Sequence, residues 1–100
     1  MILHIDTKDQ KIVRLSLKDK DKIIKTLSEE NEYGSQVLLP LIEKLLKEEK
    51  LEYKDLKGIE VETGPGSFTG LRVGVSVANA LGFALRIPVN GKKMETELQY

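Results

Sequence analysis

The chain has no cysteine among its 100 residues. That excludes a disulfide framework, thiol redox chemistry and thiolate metal sites. Long apolar runs are also missing, and the longest uninterrupted ones fall far short of a membrane span. Met1-Ile2-Leu3 opens straight into a strand-like run, with no basic, small-residue-terminated leader. A single cytoplasmic domain with no membrane partner is the expectation at this length. No repeat, low-complexity segment or linker interrupts it.

Acidic charge is missing from one long stretch. Formal net charge is zero, from 16 basic and 16 acidic residues, yet no Asp or Glu occurs between Thr63 and Met94. Arg72, Arg86, Lys92 and Lys93 fall in that stretch. A polyanion could be tolerated nearby, although this is thin next to the basic stripe of a nucleic-acid binder. Burial alone also accounts for a segment that avoids carboxylates.

The same stretch opens with "TGPGSFTGLRVG", residues 63 to 74. A glycine-rich strand-to-helix loop can bind anions through its unpaired N–H groups. The known fingerprints do not fit. A Walker loop needs Gly-Lys-Ser/Thr after its spacer, and no lysine lies between Gly58 and Lys92. The dinucleotide pattern fails because Thr69 stands where its last glycine belongs, and the acidic ribose partner is missing. The stronger reading is structural: the glycines permit positive φ, Pro65 stiffens the turn, and Ser67 or Thr69 caps a helix. No bound cofactor is expected.

Catalytic groupings are sparse. His4 is the only histidine, and a hydrogen-bonded core histidine is its simplest reading. Asp6-Thr7 ends the first strand, where an actin-like ATPase would hold phosphate or metal. Capping the strand end is the simpler alternative. Glu29-Glu30-Asn31-Glu32 lacks metal-ligand spacing and reads as a solvated loop.

Ile2–Ile5 reads as a central strand buried on both faces. Ile12–Leu17 alternates as a second strand, and Ile23, Ile24 and Leu27 among lysines suit an edge strand. A polar loop is expected over Ser28–Gly34, a helix opening at Ser35, a fourth strand over Gly58–Thr63, and a helix from Ser67 or Thr69 to Arg86. Pro88-Val89 reads as a fifth strand, and Gly91–Tyr100 as the start of a third helix. A three-stranded meander followed by right-handed strand–helix–strand crossovers predicts a mixed five-stranded α/β sheet, ribonuclease-H-like.

Both helices carry more apolar surface than one sheet covers. At 100° per residue, an arc of about 200° on the second helix runs from Ala80 through Val73, Ala84, Val77, Leu81, Gly74, Leu85, Ala78 and Leu71 to Gly82. Val37, Leu38, Leu41, Ile42 and Leu45 begin a similar arc on the first. The excess should face another protein. Gly70, Gly74, Ala78 and Gly82 recur every fourth residue. That row either meets a partner helix or packs on the protein's own sheet. The expected interface comprises Val37, Leu38, Leu41, Ile42, Leu45, Gly70, Leu71, Gly74, Val77, Ala78 and Leu81.

"GPGSFTGLRVGVSVANAL" resembles the signature of the TsaB (YeaZ) family, supported by "ILHIDT", "VLLPLIEKLL" and "LRIPV". The resemblance implies an actin-like (ASKHA) lobe over residues 1–100, with the family's second lobe absent. It implies a non-catalytic, non-enzyme scaffold for tRNA threonylcarbamoyladenosine formation. Partners would be a TsaD-like catalytic subunit, a TsaE-like ATPase in the wider complex, a second copy when alone, and tRNA only indirectly. The rivals are a nucleotide-binding half of an actin-like kinase and a self-assembling module without a tRNA role. Gly34-Ser35-Gln36 departs from the family's usual His-Ser-Glu, and Ala80 and Gly82 reverse its usual order of glycine then alanine.

Overall fold

A computed structural model describes residues 1–9, 11–30 and 36–100. Among them β1 (Ile2–Asp6), β2 (Ile12–Asp19) and β3 (Lys22–Glu30) precede α1 (Leu38–Glu48), then β4 (Gly58–Val61) and α2 (Phe68–Leu85). The order in the sheet is β3-β2-β1-β4. The first three strands pair antiparallel, and β4 lies parallel to β1. The fold is the expected mixed α/β sheet with helices, but with four strands rather than five.

Alternation decides which face is covered. Leu3 and Ile5 of β1 stand opposite Leu17 and Leu15 of β2, and opposite Ile59 and Val61 of β4. All six are buried. Both helices cover this face, α1 over β2 and β3, α2 over β1 and β4, and all feed one apolar cluster. The opposite face carries His4, Asp6, Arg14, Ser16 and Lys18, none of them buried. So β1 is central, as expected, but buried on one face only. Its run of apolar residues is broken by His4, which points to water.

β3 is the lysine-bearing edge strand that the sequence predicts. It runs through Glu30, so Ser28–Glu30 belong to a strand and not to the expected polar loop. The remainder of that loop and the expected helix start at Ser35 lie outside the described residues. The β2–β3 turn has Lys20 (φ 51°) and Asp21 (φ 67°) both left-handed. Two such residues between paired Asp19 and Lys22 make the tight hairpin whose twist matches the strands.

The fifth strand does not form. Val89 makes one parallel bridge to Ile59, and its other partner is Lys92 in a turn of the same segment. The side chain of Asn90 takes over instead. Val61 N–H donates to Asn90 Oδ1 (2.8 Å), and Asn90 Nδ2 donates to the Val61 carbonyl (3.0 Å). An amide side chain thus stands where strand backbone would. Nor is Gly91–Tyr100 a helix; it is irregular.

By length and composition alone α2 would pass as a membrane-crossing helix. Its packing gives the reason for its apolar content. Gly70, Gly74, Ala78 and Gly82 are buried, and the row faces the protein's own sheet. The Thr7 hydroxyl donates to the Gly70 carbonyl at 2.6 Å. A methyl group on Gly70 would run into the Thr7 carbonyl oxygen, and one on Gly74 into the Thr7 hydroxyl. The small residues are there because helix and strand end touch. Gly74→Ala should therefore cost about 1–3 kcal/mol of stability through overpacking, and Gly74→Leu should leave no cooperative unfolding transition. Thermal melts followed by circular dichroism check this; a Gly74→Leu variant as stable as the parent would refute the contact.

Candidate functional site

The glycine loop is fastened at both ends. Ser67 N–H donates to the Lys8 carbonyl (2.8 Å), and the Ser67 hydroxyl caps α2 by accepting from Gly70 N–H (3.1 Å). Gly66 lies against the Lys8 backbone, where a side chain would clash. Gly64 sits at φ +117°, with the Gln99 carbonyl where its Cβ would be. Glycine is required here by conformation and by proximity. The loop's work is to launch α2 at a fixed distance from β1. The strand end is similarly committed: Asp6 Oδ1 accepts from Lys8 N–H (3.1 Å), and Thr7 is held by Gly70.

On the uncovered sheet face, His4 lies between two carboxylates, Glu60 at 3.0 Å from Nδ1 and Glu62 at 2.9 Å from Nε2. Lys18 pairs with Glu60 (2.7 Å) and Lys8 with Glu62 (3.3 Å). The hydrogen bond from Lys18, then that from His4, lowers the Glu60 carboxyl below its ordinary value. His4 is hydrogen-bonded as expected, but on the wet face rather than in the core. Among the described residues no grouping has the makings of a metal site.

The tail is tied to α2 through one carboxylate. Glu95 is 5% exposed. It accepts from Asn90 Nδ2 (2.8 Å), Lys92 Nζ (2.9 Å) and the backbone N–H groups of Thr96 and Glu97. Asn79 of α2 holds its backbone, accepting from Glu95 N–H and donating to the Glu95 carbonyl, both at 2.8 Å. Burial by itself would raise the Glu95 carboxyl. Hydrogen bonds from Asn90, Lys92 and Glu97 outweigh it and hold the group at about 2.

The structure divides the expected interface. Leu38, Leu41, Ile42 and Leu45 of α1, and Leu71 and Ala78 of α2, are at most 4% exposed and belong to the core. Gly70 and Gly74 press on Thr7. Within this chain those residues are covered by its own sheet and strand end. Val37, Val77 and Leu81 remain half-exposed at the core's margin. Residues outside the expected set complete an outward apolar stripe on α2: Val73 is half-exposed, Ala80 and Ala84 exposed. The arc read from the sequence is real, but its glycine-bearing half faces inward and its Val73–Ala84 half outward. Residue size was the available signal, since the smallest side chains mark the closest approach. Phe83, 83% exposed, lies outside the arc and was missed.

Residues 29–91 match the family model described as "TsaD: tRNA N6-adenosine threonylcarbamoyltransferase". A TsaB of Buchnera aphidicola subsp. Schizaphis graminum, a tRNA threonylcarbamoyladenosine biosynthesis protein, is 38% identical over 72% of the chain. The Bacillus subtilis TsaB is 33% identical over 89%. Among solved structures, YeaZ from Pseudomonas aeruginosa superposes with a TM-score of 0.79 at 31% identity, over 88% of the chain. The chain belongs to the TsaB family. Kinship with TsaD is visible too: a threonylcarbamoyltransferase of Nitrosospira multiformis is 50% identical over 54 residues. The chain spans 35% and 39% of those two TsaB proteins and 42% of the YeaZ chain.

The Glu95 tie generates a pH dependence. A carboxyl held at about 2 when folded and at its ordinary 4.5 when unfolded stabilises above 4.5, and that stability drains as pH falls from 4.5 toward 2. The full contribution is about 3 kcal/mol. Urea titrations at pH 6 and pH 3 should show the parent losing more stability than Glu95→Gln, with Glu60 common to both. Equal losses would remove Glu95 as the source.

Proposed function

We propose that the chain is a non-catalytic scaffold in tRNA threonylcarbamoyladenosine formation, acting in the cytosol and pairing with a TsaD-like subunit through the outward stripe of α2. The observation that carries this reading is the stripe itself. Val73, Val77, Ala80, Leu81 and Ala84 lie on a helix already anchored by its opposite side. Val73, Val77 and Leu81 pack against the core on one side and leave the other open, and Ala80 and Ala84 are exposed. A flat, small-to-medium stripe suits helix-against-helix packing.

The same surface is self-complementary, so a second copy is its natural occupant when the TsaD-like subunit is absent. The sheet order with β4 parallel to β1 supports an actin-like lobe. The engagement of Asp6 and Thr7 within the chain supports a lobe that does not use its strand end for nucleotide phosphate. A TsaE-like ATPase would join the wider assembly without a site of its own on α2.

Co-expression with the TsaD of the same genome, followed by pull-down, tests the pairing. Ala80→Glu places a charge on the exposed edge of the stripe, midway along its length, without touching the core. It should weaken capture by about thirtyfold or more, the loss of about 2 kcal/mol from an unpaired interfacial charge. Undiminished capture would move the interface off α2. Sedimentation of the chain alone should give a dimer of the 11.3 kDa protomer, and a clean monomer would count against self-pairing. Calorimetry with ATP and magnesium should give no binding heat; a micromolar dissociation constant would overturn the scaffold reading.

A further inference from the structure

At the C-terminal end of α2 a cleft of about 740 Å3 opens between Gly82, Phe83, Arg86, Pro88, Gly91 and Lys93. Its character differs from the stripe. Among the described residues Phe83 is the most exposed of the large apolar side chains, at 83%. Lys92 also lines the cleft, but its ammonium is committed to Glu95. Arg86 and Lys93 are exposed and pair with no carboxylate among the described residues. Among the described residues no acidic side chain lines the cleft. Of the two carboxylates close by in sequence, Glu95 is turned inward by its own hydrogen bonds, and Glu97 is exposed with its charge acting on Lys92, with no ion pair to Arg86 or Lys93.

We propose that this cleft binds a single-stranded segment of RNA, with a base stacked on Phe83 and its flanking phosphates met by Arg86 and Lys93. An exposed ring beside unpaired cations is the minimal platform for an unpaired nucleotide. The ring accepts any base face and the cations track the backbone. The negative end of the α2 dipole points here, worth about half a charge, and the two uncommitted cations outweigh it. Arg86 serves both needs. It ends the helix in a left-handed conformation (φ 58°), which turns the chain toward Ile87 and Pro88 and so forms the cleft wall. The choice of RNA over other polyanions rests on the tRNA-modification reading. It changes that reading in one respect, since tRNA would touch this chain directly rather than only through its partner. The cleft lies at the end of α2 and the stripe along its middle, so both could be occupied together.

Fluorescence anisotropy of the whole chain with a short labelled single-stranded RNA is the test. Phe83→Ala should weaken binding by about fivefold to a hundredfold, the range for loss of one stacked base, and Phe83→Tyr should restore it. Arg86→Gln with Lys93→Gln should flatten the slope of log affinity against log salt by about 1.4, as for two phosphate contacts to a single strand. All these side chains are exposed, so circular dichroism should be unchanged. Duplex RNA of the same sequence should bind more weakly, its bases being stacked inside. Unchanged affinity in Phe83→Ala, or equal binding of duplex, would overturn the proposal. So would AMP competing as tightly as RNA, which would mean a free-nucleotide site, or Phe83-dependent retention on anionic vesicles with no RNA binding, which would mean a membrane site. Phe83→Ala should still capture TsaD normally, so a failure here is separable from a failure of the scaffold reading.

Discussion

The contact between Thr7 and the Gly70–Gly74 turn of α2 is the constraint on which the rest of the molecule hangs. Helices usually ride on a sheet at the distance set by intervening side chains. Here the strand end reaches the helix backbone, and the Thr7 hydroxyl is spent on the Gly70 carbonyl. Glycine at 70 and 74 is the only way to admit that approach. Once one side of α2 is drawn down on β1 and β4, the direction of its other side follows from helical geometry alone. The outward Val73–Ala84 stripe is thus a consequence of where Thr7 sits.

The glycine loop serves the same contact. A strand-to-helix connection must deliver the helix start at the right height and angle. Gly66 and Ser67 hold the loop to Lys8, next to Thr7, so the loop and the helix row are registered against adjacent residues of one strand end. This is why the stretch resembles a phosphate grip without its lysine. The glycines admit protein backbone, from Lys8 on one side and Gln99 on the other, in the space where a phosphate loop admits its ligand.

Much of the fold was legible because it rests on local signals. The alternation of Val13, Leu15 and Leu17, the lysines of β3, and the Ser67 cap each act within a few residues. What was not legible depended on distant partners. The fifth strand fails because Asn90 satisfies Val61 with its side chain, an exchange that a Pro-Val-Asn string does not announce. The tail reads as a possible helix because Met94–Leu98 has ordinary helical composition. It is kept from coiling by Asn79, 16 residues earlier in the chain, gripping both backbone groups of Glu95. The candidate site was half legible: periodicity gave the width of the apolar arc, and only the position of Thr7 says which half of it is hidden.

The two ends of α2 therefore answer to different physics. Its start is fixed by backbone-on-backbone contact and tolerates nothing larger than glycine. Its finish is fixed by side-chain hydrogen bonds through Asn79, Asn90 and Glu95, and it leaves Phe83 and Arg86 in water. A residue of either kind in the wrong place would be costly: a carboxylate beside the buried row would lack a partner, and an exposed phenylalanine in the stripe would invite association without register. The acid-free run from Thr63 to Met94 fits both demands at once. In its first half burial and close packing exclude carboxylates from the row that faces the sheet, Gly70, Leu71, Gly74, Val75 and Ala78. In its last third, where the chain is exposed, burial offers no such reason, and what remains is a surface whose uncommitted charge is all of one sign.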